Sequence, residues 1–184
     1  MLASFATEEE ADVAMEKRND NKTMKEQVQV CAHMRWLIIR DMPEVLQTDL
    51  ESFENSWTEE EFRHARRQPN CISMVAEVGG VVAGYLIYER RKRKLVLTRI
   101  AVHPSFRRRG VGTQMLAKLV SKLSAHQRTR VSIDVPERLD GAHLWLRACG
   151  WEAVMVNHEQ GEDDTYRFVY RLPVEAEVAH AQTV

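Results

Sequence analysis

The sequence predicts a single α/β domain, a mixed sheet flanked by helices, and three observations predict it. Short β-branched or alternating runs and stretches of helical spacing succeed one another in the order βααβββαβαββ. Turn and cap residues stand at their borders: Pro43, Thr58 with Glu61, Gly79-Gly80, and Gly150. The chain has 184 residues with ordinary apolar and charged fractions, enough for one domain with a real core.

The elements follow from local chemistry. Residues 1–33 are polar, with Thr7 and Glu10 at capping-box spacing and a breaker-rich stretch from Arg18 to Lys22, and are expected to form a disordered or frayed extension. Residues 34–173 are the expected domain and 174–184 a solvated tail. Residues 36–40 read as the first strand. Pro43 opens a helix to about Phe53, and the box Thr58/Glu61 starts a second over 59–68, ended by Pro69. The runs 71–78 and 81–88 flank Gly79-Gly80 and predict a hairpin. Arg90 to Lys94 is an all-basic tip before a strand over 95–102. Met115, Leu116, Leu119, Val120 and Leu123 place a helix over 113–124, and Val131, Ile133 and Val135 alternate in a strand over 130–135. A helix over 141–149 ends at Gly150. Strands over 151–156 and 166–172 then enclose an acidic turn, 159–164. Trp145 and Trp151 are expected in the core.

Bulk charge narrows the function classes. A formal net charge of −1 argues against coating nucleic acid or an anionic membrane. No apolar run approaches the roughly 18 residues of a membrane span, and the acidic residues 1–10 lack the apolar core of a secretory signal. Cys31, Cys71 and Cys149 stand far apart and read as reduced thiols of a cytoplasmic protein. Neither they nor the seven histidines have metal-ligand spacing, so no metal is expected.

The informative segment runs from Val102 to Thr113. A strand leads through the turn His103-Pro104 into Phe106-Arg-Arg-Arg-Gly-Val-Gly112 and a helix start. Backbone N–H groups at a helix N-terminus lack partners and carry the positive end of the macrodipole, so phosphate docks there. Glycines at 110 and 112 permit close backbone approach, and Arg107, Arg108 and Arg109 add charge. The segment matches neither a P-loop nor the dinucleotide fingerprint.

Arg107-Arg-Arg-Gly-Val-Gly112 resembles the pyrophosphate motif of the GNAT superfamily of N-acetyltransferases, Gln/Arg-x-x-Gly-x-Gly/Ala, and Ile100-Ala-Val-His-Pro104 resembles its strand lead-in. The element order over residues 34–173 is similar too. Ile39-Arg-Asp-Met-Pro-Glu44, Ser56-Trp-Thr-Glu-Glu-Glu-Phe62 and Ile133-Asp-Val135 are most similar to RimI-type enzymes, which acetylate a ribosomal protein N-terminus. The resemblance implies a mostly antiparallel sheet splayed between the fourth and fifth strands, and acetyl-CoA as co-substrate. Its pyrophosphate would lie on Arg107, Arg108, Arg109, Gly110, Val111, Gly112 and Thr113, and its pantetheine arm beside Ile100, Ala101 and Val102. The implied acceptor is a protein N-terminal amine, with small amines, an internal lysine or a catalytically weak acetyl-CoA-binding module as alternatives. Trp57 is then a candidate for the acceptor groove, with packing an equal alternative. The family is often monomeric or weakly dimeric.

The resemblance also assigns catalytic roles. The group's glutamate on the fifth strand corresponds to Asp134, which keeps the carboxylate one methylene shorter. The family's usual cofactor-binding Asn and acidic Tyr fall on Leu139 and Leu146, neither of which hydrogen-bonds through its side chain. Tyr166, Tyr170 or a water is the substitute acid, and the family's tyrosines near the final hairpin favour Tyr166. An N-terminal α-amine, of pKa about 8, is roughly one tenth neutral at pH 7, so a modest base suffices for it.

Overall fold

The computed structural model describes residues 29–124, 128–158 and 163–173. Strands β1 (His33–Trp36), β2 (Cys71–Val78), β3 (Val81–Arg90), β4 (Lys94–Val102), β5 (Arg130–Pro136), β6 (Glu152–Asn157) and β7 (Thr165–Arg171) form one sheet. They are joined through helices α1 (Met42–Leu50), α2 (Glu59–Arg67), α3 (Val111–Ser124) and α4 (Asp140–Ala148). The sheet order is β1-β2-β3-β4-β5-β7-β6. All neighbours are antiparallel except β4 and β5, which run parallel, as a crossover through α3 allows. The element order is the predicted one.

Two cores sandwich the sheet. On one face α3 and α4 bury Met115, Leu116, Leu119, Leu123 and Leu146 against Leu86, Leu95, Val131, Ile133 and Phe168. On the other, α1 and α2 bury Val45 and Phe62 against Val75, Tyr85 and Ile87. Alternation along each strand sorts residues between these faces. In β4 the parity switches: Leu95 and Leu97 face α3, and so do Ile100 and Val102. The cause is a bulge, since Tyr88 pairs Leu97 and Ile87 pairs Arg99, leaving Thr98 unpaired. Arg99 and Ala101 therefore face α1. Gly84 on β3 lets the strands and α3 close up, because a Cβ there would stand 2.6 Å from the carbonyl oxygen of Ala101 and 3.2 Å from Met115 Sδ.

Several boundaries differ from the sequence expectation. The first strand is His33–Trp36, not 36–40. Arg35 on it reaches Glu77 at 2.7 Å and Asp41 at 2.6 Å, and Asp41 accepts the Ile38 N–H at 2.9 Å, which folds residues 39–41 into a 3-10 turn. Burial pushes the Asp41 carboxyl up; Arg35 and the Ile38 N–H overcome this and hold it below the usual carboxylate range. The first helix stops at Leu50 rather than Phe53, because residues 51–57 fold back over Asp49. Helix α3 begins two residues earlier than expected, at Val111. The basic tip does close the β3–β4 hairpin, with the Arg91 N–H donating to the Lys94 carbonyl at 2.9 Å.

The boundary drawn at His33 falls inside packed chain. Val30 and Ala32 lie against the α3 core, and Ala32 N–H donates to Gln114 Oε1 at 2.9 Å. The remainder of the expected extension (residues 1–28), the tail (174–184) and most of the acidic turn (159–162) lie outside the described residues. No helix among the described residues is long and apolar enough to cross a membrane.

Candidate active site

The parallel ladder of β4 and β5 is short. It pairs Lys94 with Arg130, Leu95 with Val131 and Val96 with Ser132, and then the strands part. Beyond Val96 no strand among the described residues pairs with the second edge of β4, while its first edge stays bonded to β3 up to the Gly84–Val102 pair. A mouth therefore opens in the middle of the sheet, flanked by the Thr98 bulge.

At the upper end of that mouth stands the start of α3. The first helical bond is donated by Gln114 N–H to the Gly110 carbonyl at 3.1 Å. The N–H groups of Gly110, Val111, Gly112 and Thr113 have no partner among the described residues. Arg108 (φ 63°) and Gly110 (φ 82°) adopt left-handed backbone, which tightens the loop; at Gly110 the conformation itself selects glycine. Gly112 is required for a different reason. A Cβ there would stand 2.9 Å from the Trp145 ring and 3.5 Å from Val102. Trp145 also donates from Nε1 to Thr113 Oγ1 at 3.3 Å, so α4 is seated on the first turn of α3. It is half-buried at the edge of the core rather than inside it, while Trp151 is 3% exposed.

The predicted site residues separate into groups. Arg108, Arg109, Gly110, Val111, Gly112 and Thr113 share the loop and helix start, with the Arg109 guanidinium 5.5 Å from the Phe106 ring. Arg107 is engaged elsewhere. It donates to the Val102 carbonyl at 2.9 Å, Ser52 Oγ at 2.9 Å and the Glu51 carbonyl at 3.2 Å, tying this loop to the end of α1. Ile100, Ala101 and Val102 line the upper part of β4, and Val102 already gives its carbonyl to Arg107.

The structure does not bring Asp134 and Tyr166 together. Val131, Ile133 and Val135 face α3 and α4, so Asp134 projects from the opposite face, where Arg167 grips both its oxygens at 2.7 and 2.9 Å. Tyr166 is on the α4 face, 5.2 Å from the His143 ring, with its hydroxyl donating to Glu137 at 3.3 Å. The Glu137 charge pushes the Tyr166 phenol up from its ordinary range. Leu146 is 1% exposed and Leu139 packs on the same core, so these two positions serve packing.

The α1 side of the mouth is walled by residues 51–58, and Asp49 anchors that loop. Asp49 is fully buried and accepts from Tyr85 Oη, Arg99 Nε at 2.5 Å, Arg99 Nη2 at 2.8 Å and Trp57 N–H at 2.6 Å. Arg99 also holds the Asn55 carbonyl at 2.8 Å, and its guanidinium lies 3.9 Å from the Phe53 ring and 5.0 Å from Trp57. Trp57 thus joins the loop wall and packs edge-on against Phe62. Burial pushes the Tyr85 phenol well above its usual range, keeping it a donor. Arg138 spans the mouth, pairing Glu54 at 3.0 Å on one wall and Asp163 before β7 on the other. Among the described residues no cluster of His, Cys, Asp or Glu is placed to hold a metal ion.

Comparison with known proteins agrees with this architecture. The sequence pattern of the Acetyltransferase (GNAT) family matches residues 40–151. Among solved structures, the ribosomal-protein-S18-alanine N-acetyltransferase from Escherichia coli superposes with a TM-score of 0.69 at 17% identity, covering 78% of this chain and 96% of that one. Ard1 from Thermoplasma volcanium superposes with a TM-score of 0.71 at 19% identity, over 78% and 99% of the chains. Arabidopsis thaliana NAA60, solved in complex with acetyl-CoA, gives 0.66 at 16% identity, over 77% and 99%.

Proposed function

The chain belongs to the acetyltransferase (GNAT) family, and from that premise we propose that it moves the acetyl group of acetyl-CoA directly onto an amine, best suited to the N-terminal α-amine of a protein. One juxtaposition carries the reading: the partnerless N–H groups of Gly110 to Thr113 lie at the head of a mouth whose wall is the free edge of β4. The residues fit the co-substrate. A helix start with free N–H groups beside Arg108 and Arg109 suits a pyrophosphate, and an unpaired strand edge suits an amide-bearing arm.

In this reading the neutral amine attacks the thioester carbonyl carbon. A C–N bond forms, the C–S bond breaks, the nitrogen loses one proton and the departing thiolate gains one. Asp134 and Tyr166 stand on opposite faces of the sheet, which suits a transfer in which acceptor and leaving group occupy opposite sides. Asp134 receives the amine proton, through a water where its side chain falls short, with Arg167 fixing its orientation. Tyr166, whose hydroxyl donates to Glu137, supplies a proton on the α4 side. A lysine amine, of ordinary pKa about 10.4, is almost wholly protonated at pH 7, whereas an α-amine is already about one tenth neutral, so a modest proton acceptor suffices for it. The Escherichia coli neighbour, named for an alanine of ribosomal protein S18, supports the same acceptor class.

A cavity of about 730 Å³ between α2 and β3–β4 favours a second reading, a cationic small amine. Glu60, Glu61 and Glu89 line it, together with Trp57, Thr98 and Arg91, which pairs with Glu89 at 2.5 Å.

CoA release is measured with a peptide bearing a free small-residue N-terminus, its N-terminally blocked form, a lysine peptide and spermidine. Release with the free N-terminus alone is the expected result. Release with spermidine alone would select the second reading, and no release alongside tight acetyl-CoA binding by calorimetry would leave an acetyl-CoA-binding module or an acceptor outside this panel. Asp134→Asn is expected to lower turnover about 100-fold, within the range of a positioned proton acceptor, with CoA affinity unchanged by calorimetry. Equal turnover would remove Asp134 from the reaction.

A further inference from the structure

Residues 29–32 form a strap beside the loop that precedes α3. Val30 N–H donates to the Arg109 carbonyl at 3.2 Å. Gln114, one turn into α3, grips the strap from the other side: Nε2 donates to the Val30 carbonyl at 2.6 Å and Oε1 accepts the Ala32 N–H at 2.9 Å. The same Nε2 reaches the Gly110 carbonyl at 3.3 Å. Gly110 is closed on this side, since a Cβ would stand 3.0 Å from Gln29 Cγ. Val30 and Ala32 are pinned by the apolar core as well.

In a trans peptide the carbonyl and the following N–H point in opposite directions. With the Arg109 carbonyl held by the strap, the Gly110 N–H is aimed away from it. With the Gly110 carbonyl held by the backbone and side chain of Gln114, the Val111 N–H is aimed away from the helix. Arg108 at φ 63° needs such restraint, because a non-glycine residue there is strained by about 1–2 kcal/mol relative to the right-handed region.

We propose that Gln114 and residues 29–32 are positioning elements for the pyrophosphate cradle, holding the Gly110 and Val111 N–H groups in the orientation that receives the phosphates. The inference rests on the reading of this loop as the acetyl-CoA site. It makes residues 29–32 of the polar N-terminal segment a working component of that site.

Two variants of the full chain test it. Gln114→Met keeps length and volume but cannot hold the strap, and Val30→Pro removes the N–H that holds Arg109. Each is expected to weaken CoA binding about tenfold by calorimetry, as for loosening one hydrogen bond to a charged group. The readout that a general structural role would not produce is the comparison of two donors. KM for acetyl-CoA should rise about tenfold while KM for S-acetylpantetheine, which lacks the pyrophosphate, shifts by less than about twofold. Unchanged CoA affinity in both variants would overturn the proposal, as would equal losses with both donors. Failure of the unaltered chain to bind CoA would bring down the reading of the site itself, and this inference with it.

Discussion

Asp49→Ala is expected to lower stability by about 3–5 kcal/mol, the cost of stripping one partner from a buried ion pair. Arg99, with only 12% of its side chain exposed, would be left without its carboxylate, and the Tyr85 hydroxyl and Trp57 N–H would lose their acceptor. The loss is local in origin but reaches the site, because the same carboxylate fixes residues 51–58 against β4. Equilibrium urea unfolding followed by tryptophan fluorescence measures it. Asp49→Leu combined with Arg99→Met should recover much of the loss, since an apolar pair of similar volume leaves no stranded charge. A single-variant loss below about 1 kcal/mol would mean that water or a rearranged Arg99 replaces the carboxylate, and that the loop is held by its aromatic contacts instead.

Gly112→Val is expected to weaken CoA binding about 100-fold or more. The added branch meets the Trp145 ring, which cannot yield without releasing Thr113, and the methyl groups crowd the N–H groups at the helix start. Losing two hydrogen bonds to a charged group, at about 1.5–3 kcal/mol each, accounts for that factor. Global stability should change much less than affinity, because Met115, Leu116, Leu119 and Leu123 remain packed. Calorimetry with CoA beside thermal unfolding separates the two effects. Undiminished affinity in a folded variant would place the phosphates elsewhere.

Residue patterns alone settled the element order and the hairpin at Gly79-Gly80, and marked the glycine-bearing turn that leads into α3, because these depend on neighbours within one turn or one strand. The β4 bulge also left a local trace, the shift of apolar parity from Leu95 and Leu97 to Ile100 and Val102. That shift alone puts Arg99 on the α1 face, yet its partner Asp49 lies 50 residues away and no local rule links them. Arg107 reads as one of three like cations, but contacts 55 and 56 residues upstream tie it to the end of α1 instead. Alternation in β5 predicts where Asp134 points. Only the β5–β7 register, Asp134 opposite Arg167 and Val135 opposite Tyr166, decides that the Asp134 and Tyr166 side chains occupy opposite faces. Gln114 and Val30 illustrate the same limit at 84 residues' separation. Periodicity and caps are short-range and so can be read along the chain. The orientation of a charge, an amide or a ring in the site depends on which distant strand or loop arrives beside it, and that is decided by packing of the whole sheet.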